Sequence, residues 1–284
     1  MVNDTSRRRF LALAGSTTTV ALAGCSETDI GGGESTDGES MDETEGEMMS
    51  EPVSVTVRIE NVAPTDFYDS MTPTNGQIWI TPGTFAVHTE SNPIFTAGEA
   101  ASVGLEAQAE AGPPTGFEGE PGLVDELQDM EMGVSNVGAF TPENTVADPN
   151  DPMGEVPGAP PIAPEGAFEF DIEAEPGQRL SFASMFVPSN DLFFAPGAEG
   201  IELWPMDGEP VSGDVTDSVD LWDAGTEPNG APGDDPDQAP AQDSPDQGDD
   251  EDGVVQRLSA VDDGHDYPAV DEAIRVTLMP DSMG

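Results

Sequence analysis

Carboxylates make up nearly the whole chemical inventory of this chain, with 58 Asp and Glu against 7 basic side chains, two His and one Cys in 284 residues. The familiar catalytic signatures are missing. There is no Gly-x-Ser-x-Gly elbow, no His-Glu-x-x-His helix and no Gly-rich phosphate loop after a strand, so triad hydrolysis, zinc proteolysis and nucleotide chemistry have no sequence carrier. His88 closes the apolar run Phe85-Ala86-Val87-His88 and reads as a hydrogen-bonded structural histidine. His265, between Gly264 and Asp266, reads as solvated. One Cys excludes an intramolecular disulfide framework, a Cys-ligated zinc cluster and an iron–sulfur centre.

What remains is oxygen chemistry, and two acidic stretches are placed to do it. Ser189-Asn190-Asp191 follows the apolar run Leu180 to Val187, and Asp223-Ala224-Gly225-Thr226-Glu227 follows Val219-Asp220-Leu221-Trp222. A hard cation such as calcium takes about six to eight oxygens, and loops at one end of a sheet structure can bring carboxylates together from distant sequence. Gly225 lets the second stretch turn so that Asp223 and Glu227 face a common point. The competing reading is solvated surface carboxylates, which so acidic a composition scatters without any ion.

The elements that must position these residues read as short strands. Val53, Val55, Val57 and Ile59 alternate with Ser54, Thr56, Arg58 and Glu60, the period of a half-buried strand. Ile274, Val276 and Leu278 repeat that pattern near the C-terminal end, and the first and last strands are expected to be neighbours. Gln77 to Ile80, Phe85 to His88, Ala101 to Leu105, Phe168 to Ile172, Leu180 to Val187 and Gly200 to Trp204 are further candidates, each bounded by Gly, Pro, Asn or Asp. With 32 Gly and 27 Pro, many short strands predict an all-β fold, an antiparallel β-sandwich with long acidic and Pro/Gly-rich loops. Gly112 to Pro164 is one such stretch, with an apolar cluster from Leu123 to Met132 that could make a helical turn or two. Pro228 to Asp252, with nine acids and no aromatic, reads as a long surface loop kept soluble by charge.

The first residues carry a different message. Ser6-Arg7-Arg8-Arg9-Phe10-Leu11 opens an apolar run that ends in Leu22-Ala23-Gly24-Cys25. A positive start, a short apolar middle and small residues at the end make a secretory signal over residues 1–24, and the adjacent arginines specify the twin-arginine route. The Leu-Ala-Gly-Cys ending resembles a lipobox, which commits Cys25 to lipidation and removes the thiolate that a blue-copper site would require. Residues 25–52 hold ten acids from Ser26 to Pro52 and no base. They read as a solvated, self-repelling spacer ahead of a sandwich domain over 53–284.

The formal charge of -51 excludes a nucleic-acid binder, because phosphate recognition needs clustered cations and Arg58, Arg179, Arg257 and Arg275 are far apart in sequence. An anionic membrane surface repels such a chain, leaving the lipid as the membrane contact. Self-repulsion of this size is relieved when molar salt shortens the Debye length to about 3 Å, as expected of a halophile's protein. An acidic mesophile protein with a disordered tail is the alternative.

Several stretches resemble the spondin N-terminal domain, the module shared by F-spondin and mindin. They are Val57-Arg58-Ile59-Glu60-Asn61, Pro82-Gly83-Thr84-Phe85-Ala86-Val87-His88, Ala109-Glu110-Ala111-Gly112, Ser184-Met185-Phe186-Val187-Pro188-Ser189-Asn190-Asp191-Leu192-Phe193 and Asp223-Ala224-Gly225-Thr226-Glu227. The resemblance runs from about Val53 to Leu278. It implies an antiparallel sandwich that binds calcium through Asp191, Asp223 and Glu227. At the last position animal members tend to have Asp, and Glu227 keeps the anionic oxygen one methylene further out. The family's disulfides and thrombospondin-type repeats have no counterpart here, so its receptors do not transfer.

The expectation is therefore a lipid-anchored, exported, non-catalytic calcium-binding module at the outer face of the cytoplasmic membrane. Its expected role is adhesion or recognition of a cell-surface protein or glycan. A carboxylate-based extracellular hydrolase acting on glycans is the alternative from another class. A solute-binding lipoprotein would need two α/β lobes, against which the strand-rich pattern argues.

Overall fold

Alternation along the first strand decides the architecture: Val53, Val55, Val57 and Ile59 are buried while the residues between them are half exposed. The computed structural model describes residues 51–69, 71–130, 133–147, 149 and 161–282, all within one compact unit. The signal segment, Cys25 and most of the 25–52 spacer lie outside the described residues.

In chain order the strands are β1 (Val53–Asn61), β2 (Trp79–His88), β3 (Val134–Phe140), β4 (Thr145–Ala147), β5 (Ala167–Ala174), β6 (Arg179–Val187), β7 (Leu192–Pro196), β8 (Ile201–Glu202), β9 (Gly213–Asp214), β10 (Val219–Asp223), β11 (Gln256–Arg257) and β12 (Ile274–Pro280). The helices are α1 (Val103–Glu110), α2 (Leu123–Gln128) and α3 (Val270–Ala273). Two antiparallel sheets form, one of order β4-β5-β1-β12-β9 and the other β11-β10-β7-β6-β2-β3 with β8 on β6. The fold is the expected all-β sandwich. The expected pairing of first and last strands is present, with Val57 opposite Leu278 and Ile59 opposite Val276.

The inner faces of the two sheets meet in one core in which Val55, Val57, Phe168, Phe170 and Val276 of one sheet pack on Phe85, Phe140, Phe182, Phe186 and Leu221 of the other. Phe170 stacks on both Phe85 and Phe140 at centroid distances of 4.6 and 5.2 Å, spans at which aromatic pairs add to simple area burial. A second apolar cluster lies on the outer face of the larger sheet, where Leu105 and Ala109 of α1 and Leu123 and Leu127 of α2 cover Ala86, Ala183, Phe193 and Trp222. The sandwich therefore carries a third, helical layer on one side.

That layer corrects one expectation. Ala101 to Leu105 is not a strand but the start of α1. Ser102 caps the helix, its Oγ accepting from Leu105 N at 3.2 Å, and the Glu126 carboxylate on α2 accepts from Gly104 N at 2.9 Å. The residues that follow, Leu105 to Glu110, are strong helix formers. Another expectation is merged: Gln77 to Ile80 and Phe85 to His88 belong to one strand, β2, broken by a bulge between Ile80 and Gly83. Pro82 has no amide hydrogen to give the ladder, and neighbouring groups fill in. Thr81 Oγ1 accepts from Met185 N at 2.9 Å and Thr81 O accepts from Ser184 Oγ at 2.7 Å. Within the Pro/Gly-rich stretch, α2 matches the expected helical turns, and β3 and β4 supply an outer strand to each sheet.

Candidate metal centre

Antiparallel pairing of β7 with β10 brings the two acidic stretches to one place. Leu192 lies opposite Asp223, so Asp191 stands one residue beyond the paired end of β7, where the chain turns from β6. The Asp223-Ala224-Gly225-Thr226-Glu227 turn then closes around it. Asp191 Oδ2 accepts from Thr226 N at 2.8 Å, Glu227 N at 3.2 Å and Thr226 Oγ1 at 3.3 Å, and Asp191 O accepts from Ala224 N at 3.2 Å. Asp191 is fully buried, and its other carboxylate oxygen, Oδ1, has no hydrogen-bond partner. Asp223 accepts from Gly225 N through Oδ1 and from Asn229 Nδ2 through Oδ2, both at 2.7 Å. Glu227 Oε2 accepts from Asn190 Nδ2 at 3.5 Å.

Two glycines make the turn possible. Gly225 adopts φ +69°, and a Cβ there would lie 2.5 Å from Val254 N. Gly248 adopts φ +147°, and a Cβ there would lie 2.4 Å from Glu227 Oε1. Both are left-handed positions that L side chains rarely take, and both admit backbone where a side chain would block it. The acidic loop thus comes down onto the site. Glu251 N donates to Thr226 O and Gly253 N to Gly225 O, at 2.6 and 2.9 Å. The loop is also fastened from inside by Gln238. This amide is buried, accepts from Gly233 N at 2.7 Å, and donates to Asn190 Oδ1 and Ala231 O, both at 3.1 Å. The Pro228 to Asp252 segment has no helix or strand but is more than a solvated loop, since it packs over the candidate site.

Four acids are buried among the described residues, Glu110, Asp191, Asp223 and Glu227, and all four belong to this cluster. Glu110 ends α1, where the Thr226 hydroxyl reaches it and Glu227 lies close. Among the described residues no protein cation pairs with them. The described arginines pair elsewhere, Arg58 with Glu60 and Glu169, Arg179 with Glu202, Arg257 with Asp220 and Arg275 with Asp214. Desolvation disfavours the charged form of a carboxylate, and a like charge nearby disfavours it further. Burial accordingly pushes Glu110 up to about 8, opposed by the nearby Thr226 hydroxyl and with help from Glu227, Glu106 and Asp246. Burial likewise pushes Glu227 up to about 8, opposed by Asn190 and reinforced by Asp191. Asp191 is raised by burial and by Asp223, and Asp223 by burial, with Glu251 and Asp263 adding to it.

The structure thus brings all three acids expected from the sequence into one neighbourhood, but Asp191, Asp223 and Glu227 do not form a group whose oxygens all lie within 4.8 Å of one another. The group of acids whose oxygens lie within 4.8 Å of one another, among the described residues, is Glu106, Glu110 and Asp246. Sequence reasoning assigns none of these three. The signal for two of them is the spacing of Glu106 and Glu110, which puts both on one face of a helix once the segment is read as helical.

His88 lies at the far end of β2 and β6 from this centre. His88 is buried, with Nδ1 against Glu90 O and Nε2 against Ser181 Oγ, both at 2.9 Å. Since the Glu90 carbonyl can only accept, Nδ1 carries the proton and Nε2 accepts from Ser181, as a structural histidine requires. His265 lines a cavity of about 520 Å³ with Asp220, Asp262, Asp263 and Tyr267. No described helix is long and apolar enough to cross a membrane. No protein-family model matches the chain, and no curated protein matches it significantly.

Proposed function

We propose that this chain is a non-catalytic, calcium-binding β-sandwich that is exported, held at the outer face of the cytoplasmic membrane by a lipid on Cys25, and used for adhesion or recognition of a cell-surface protein or glycan. The observation that carries the calcium reading is the gathering of every buried acid of the described residues at one end of the larger sheet, with no cation of the described residues paired to them. An isolated buried carboxylate is costly unless it is protonated, paired or bound to a metal. Asp191 Oδ1 offers an unused lone-pair site there, and its partner oxygen is already held by three donors, which fixes the carboxylate's orientation. All-oxygen surroundings suit a hard cation such as calcium. The resemblance to the spondin N-terminal domain supports the same residues and the adhesive role. The signal and lipobox motifs support export and anchoring.

The ion's part in this reading is structural. It ties the β6–β7 turn to the turn after β10 and stabilises the folded state by mass action, because unfolded chain holds no such site. A glycosidase pair, by contrast, must line an open groove with its carboxyl groups about 5 to 9.5 Å apart across the substrate. Here Asp191, Asp223 and Glu227 are at most 5% exposed beneath the acidic loop, which leaves a polysaccharide no access. Calorimetric titration with calcium in molar KCl tests the site. Asp191→Asn and Asp223→Asn are expected to weaken calcium binding by at least about tenfold, and unchanged affinity in both variants overturns the assignment.

A further inference from the structure

We propose a second divalent-cation site, formed by Glu106 and Glu110 of α1 together with Asp246 of the acidic loop, whose occupancy clamps that loop to the helix layer.

The three residues each present a carboxylate oxygen within 4.8 Å of the other two. Ligands on opposite sides of a calcium ion lie at about twice the metal–oxygen distance of 2.3 to 2.6 Å. Three oxygens within 4.8 Å of one another leave one ion at or close to bonding distance of all three. Acidic surfaces often bring carboxylates near one another, but Glu110 is not surface. The residue is 3% exposed and its Oε2 has no hydrogen-bond partner, so a buried carboxyl of this cluster keeps one oxygen with nothing to meet it. The helix worsens its position. Glu106 and Glu110 are four residues apart on one face, where like charges repel, and Glu110 is the last helical residue, at the negative end of the helix dipole. A cation offsets all three costs at once.

The donor set indicates the ion. Three carboxylates with no imidazole or thiolate select a hard cation, and a loop ligand that is itself exposed leaves room for the waters that complete a calcium shell. The site borders the first one through Glu110 but has its own ligands. Its ligands come from α1 and the acidic loop rather than from the turns around Asp191, and Thr226 lies between, its hydroxyl reaching both Asp191 and Glu110. The two sites differ in consequence. An ion at Asp191 joins strand ends of one sheet, whereas an ion at Glu110 joins the loop to the helical layer outside that sheet.

The full chain in molar KCl, titrated with calcium chloride, separates the possibilities. Wild type is expected to bind two equivalents. Glu110→Gln and Asp246→Asn are each expected to bind one, retaining the equivalent that Asp191→Asn loses. Asp246 is exposed, so its amide variant removes a ligand without disturbing the core. Hydrogen exchange supplies the second readout: calcium is expected to slow exchange across residues 242–250 in wild type and in Asp191→Asn, but not in Asp246→Asn. Two equivalents retained by Asp246→Asn, or calcium-induced protection unchanged in that variant, overturns the proposal. So does loss of both equivalents in Glu110→Gln, which makes Glu110 a ligand of one shared ion. Binding of a single equivalent that Asp246→Asn abolishes and Asp191→Asn spares upholds this site and removes the first.

Discussion

On the proposed reading, Asp191 is a carboxylate prepared as a ligand. Three donors hold Oδ2 while Oδ1 stays bare and buried, so most of the orientational entropy of ligation is spent in folding rather than in binding. Gly225 makes this possible, because its left-handed backbone lets residues 253–254 close the turn at van der Waals range. Gly225→Ala is expected to lose about 2 to 4 kcal/mol of stability, combining left-handed strain with overpacking against backbone, and to weaken calcium binding in the same variant. Denaturant unfolding with and without calcium reads both. Much of this site is legible in sequence, since Asp191, Asp223 and Glu227 sit where apolar runs stop and Gly225 marks the turn. Glu110 is not, because its burial comes from docking α1 against Ala183, Phe193 and Trp222, contacts between residues far apart along the chain.

Among the elements, the strands with one face in the core are the readable ones. β1 alternates throughout, β5 from Phe168 onward and β12 as far as Leu278, and their period reports burial on one side. β7 is buried on both faces, so it has no period and reads only as an apolar run of five. Small apolar residues at Ala101 to Leu105 fit strand and helix alike, and the choice is made by Ser102 and by a carboxylate from another helix. The acidic loop reads as solvent-facing because nine acids mask one amide. Gln238 is its internal fastener, and Gln238→Ala would strip hydrogen bonds from Gly233 N, Asn190 Oδ1 and Ala231 O at once. The expected cost is about 1 to 3 kcal/mol for each buried group left unsatisfied. Faster amide exchange across residues 230–252 is the measurable sign, and exchange equal to wild type contradicts the fastening role.

Over the whole molecule, the buried acids turn pH into a stability variable, and on the proposed reading calcium reverses its sign. Glu110 and Glu227 ordinarily titrate at 4.5 but are pushed up to about 8 when folded. A raised folded-state value contributes stability that is full below about 4.5 and disappears as pH rises through about 8. In chelator the melting temperature is therefore expected to fall between about pH 5 and pH 8. With saturating calcium the ionised carboxylates are the ones that bind, so the same range is expected to be flat or rising. His88 acts oppositely, because burial lowers its pKa and protonation breaks its bond from Ser181. Its contribution is common to both conditions and cancels in their difference. Equal falls with and without calcium contradict the coupling.

The outermost strands bear on a different hazard. Where dissolved ions screen the negative surface, mutual repulsion no longer keeps molecules apart, and an exposed row of unpaired amides and carbonyls would recruit another sheet. Among the described residues, three of the four strands that end the two sheet orders, β4, β9 and β11, are only two or three residues long, as is β8 beside β6. The brevity of these borders gives the protein a geometric safeguard against fibrous stacking that holds in brine, where a defence built on charge would fail.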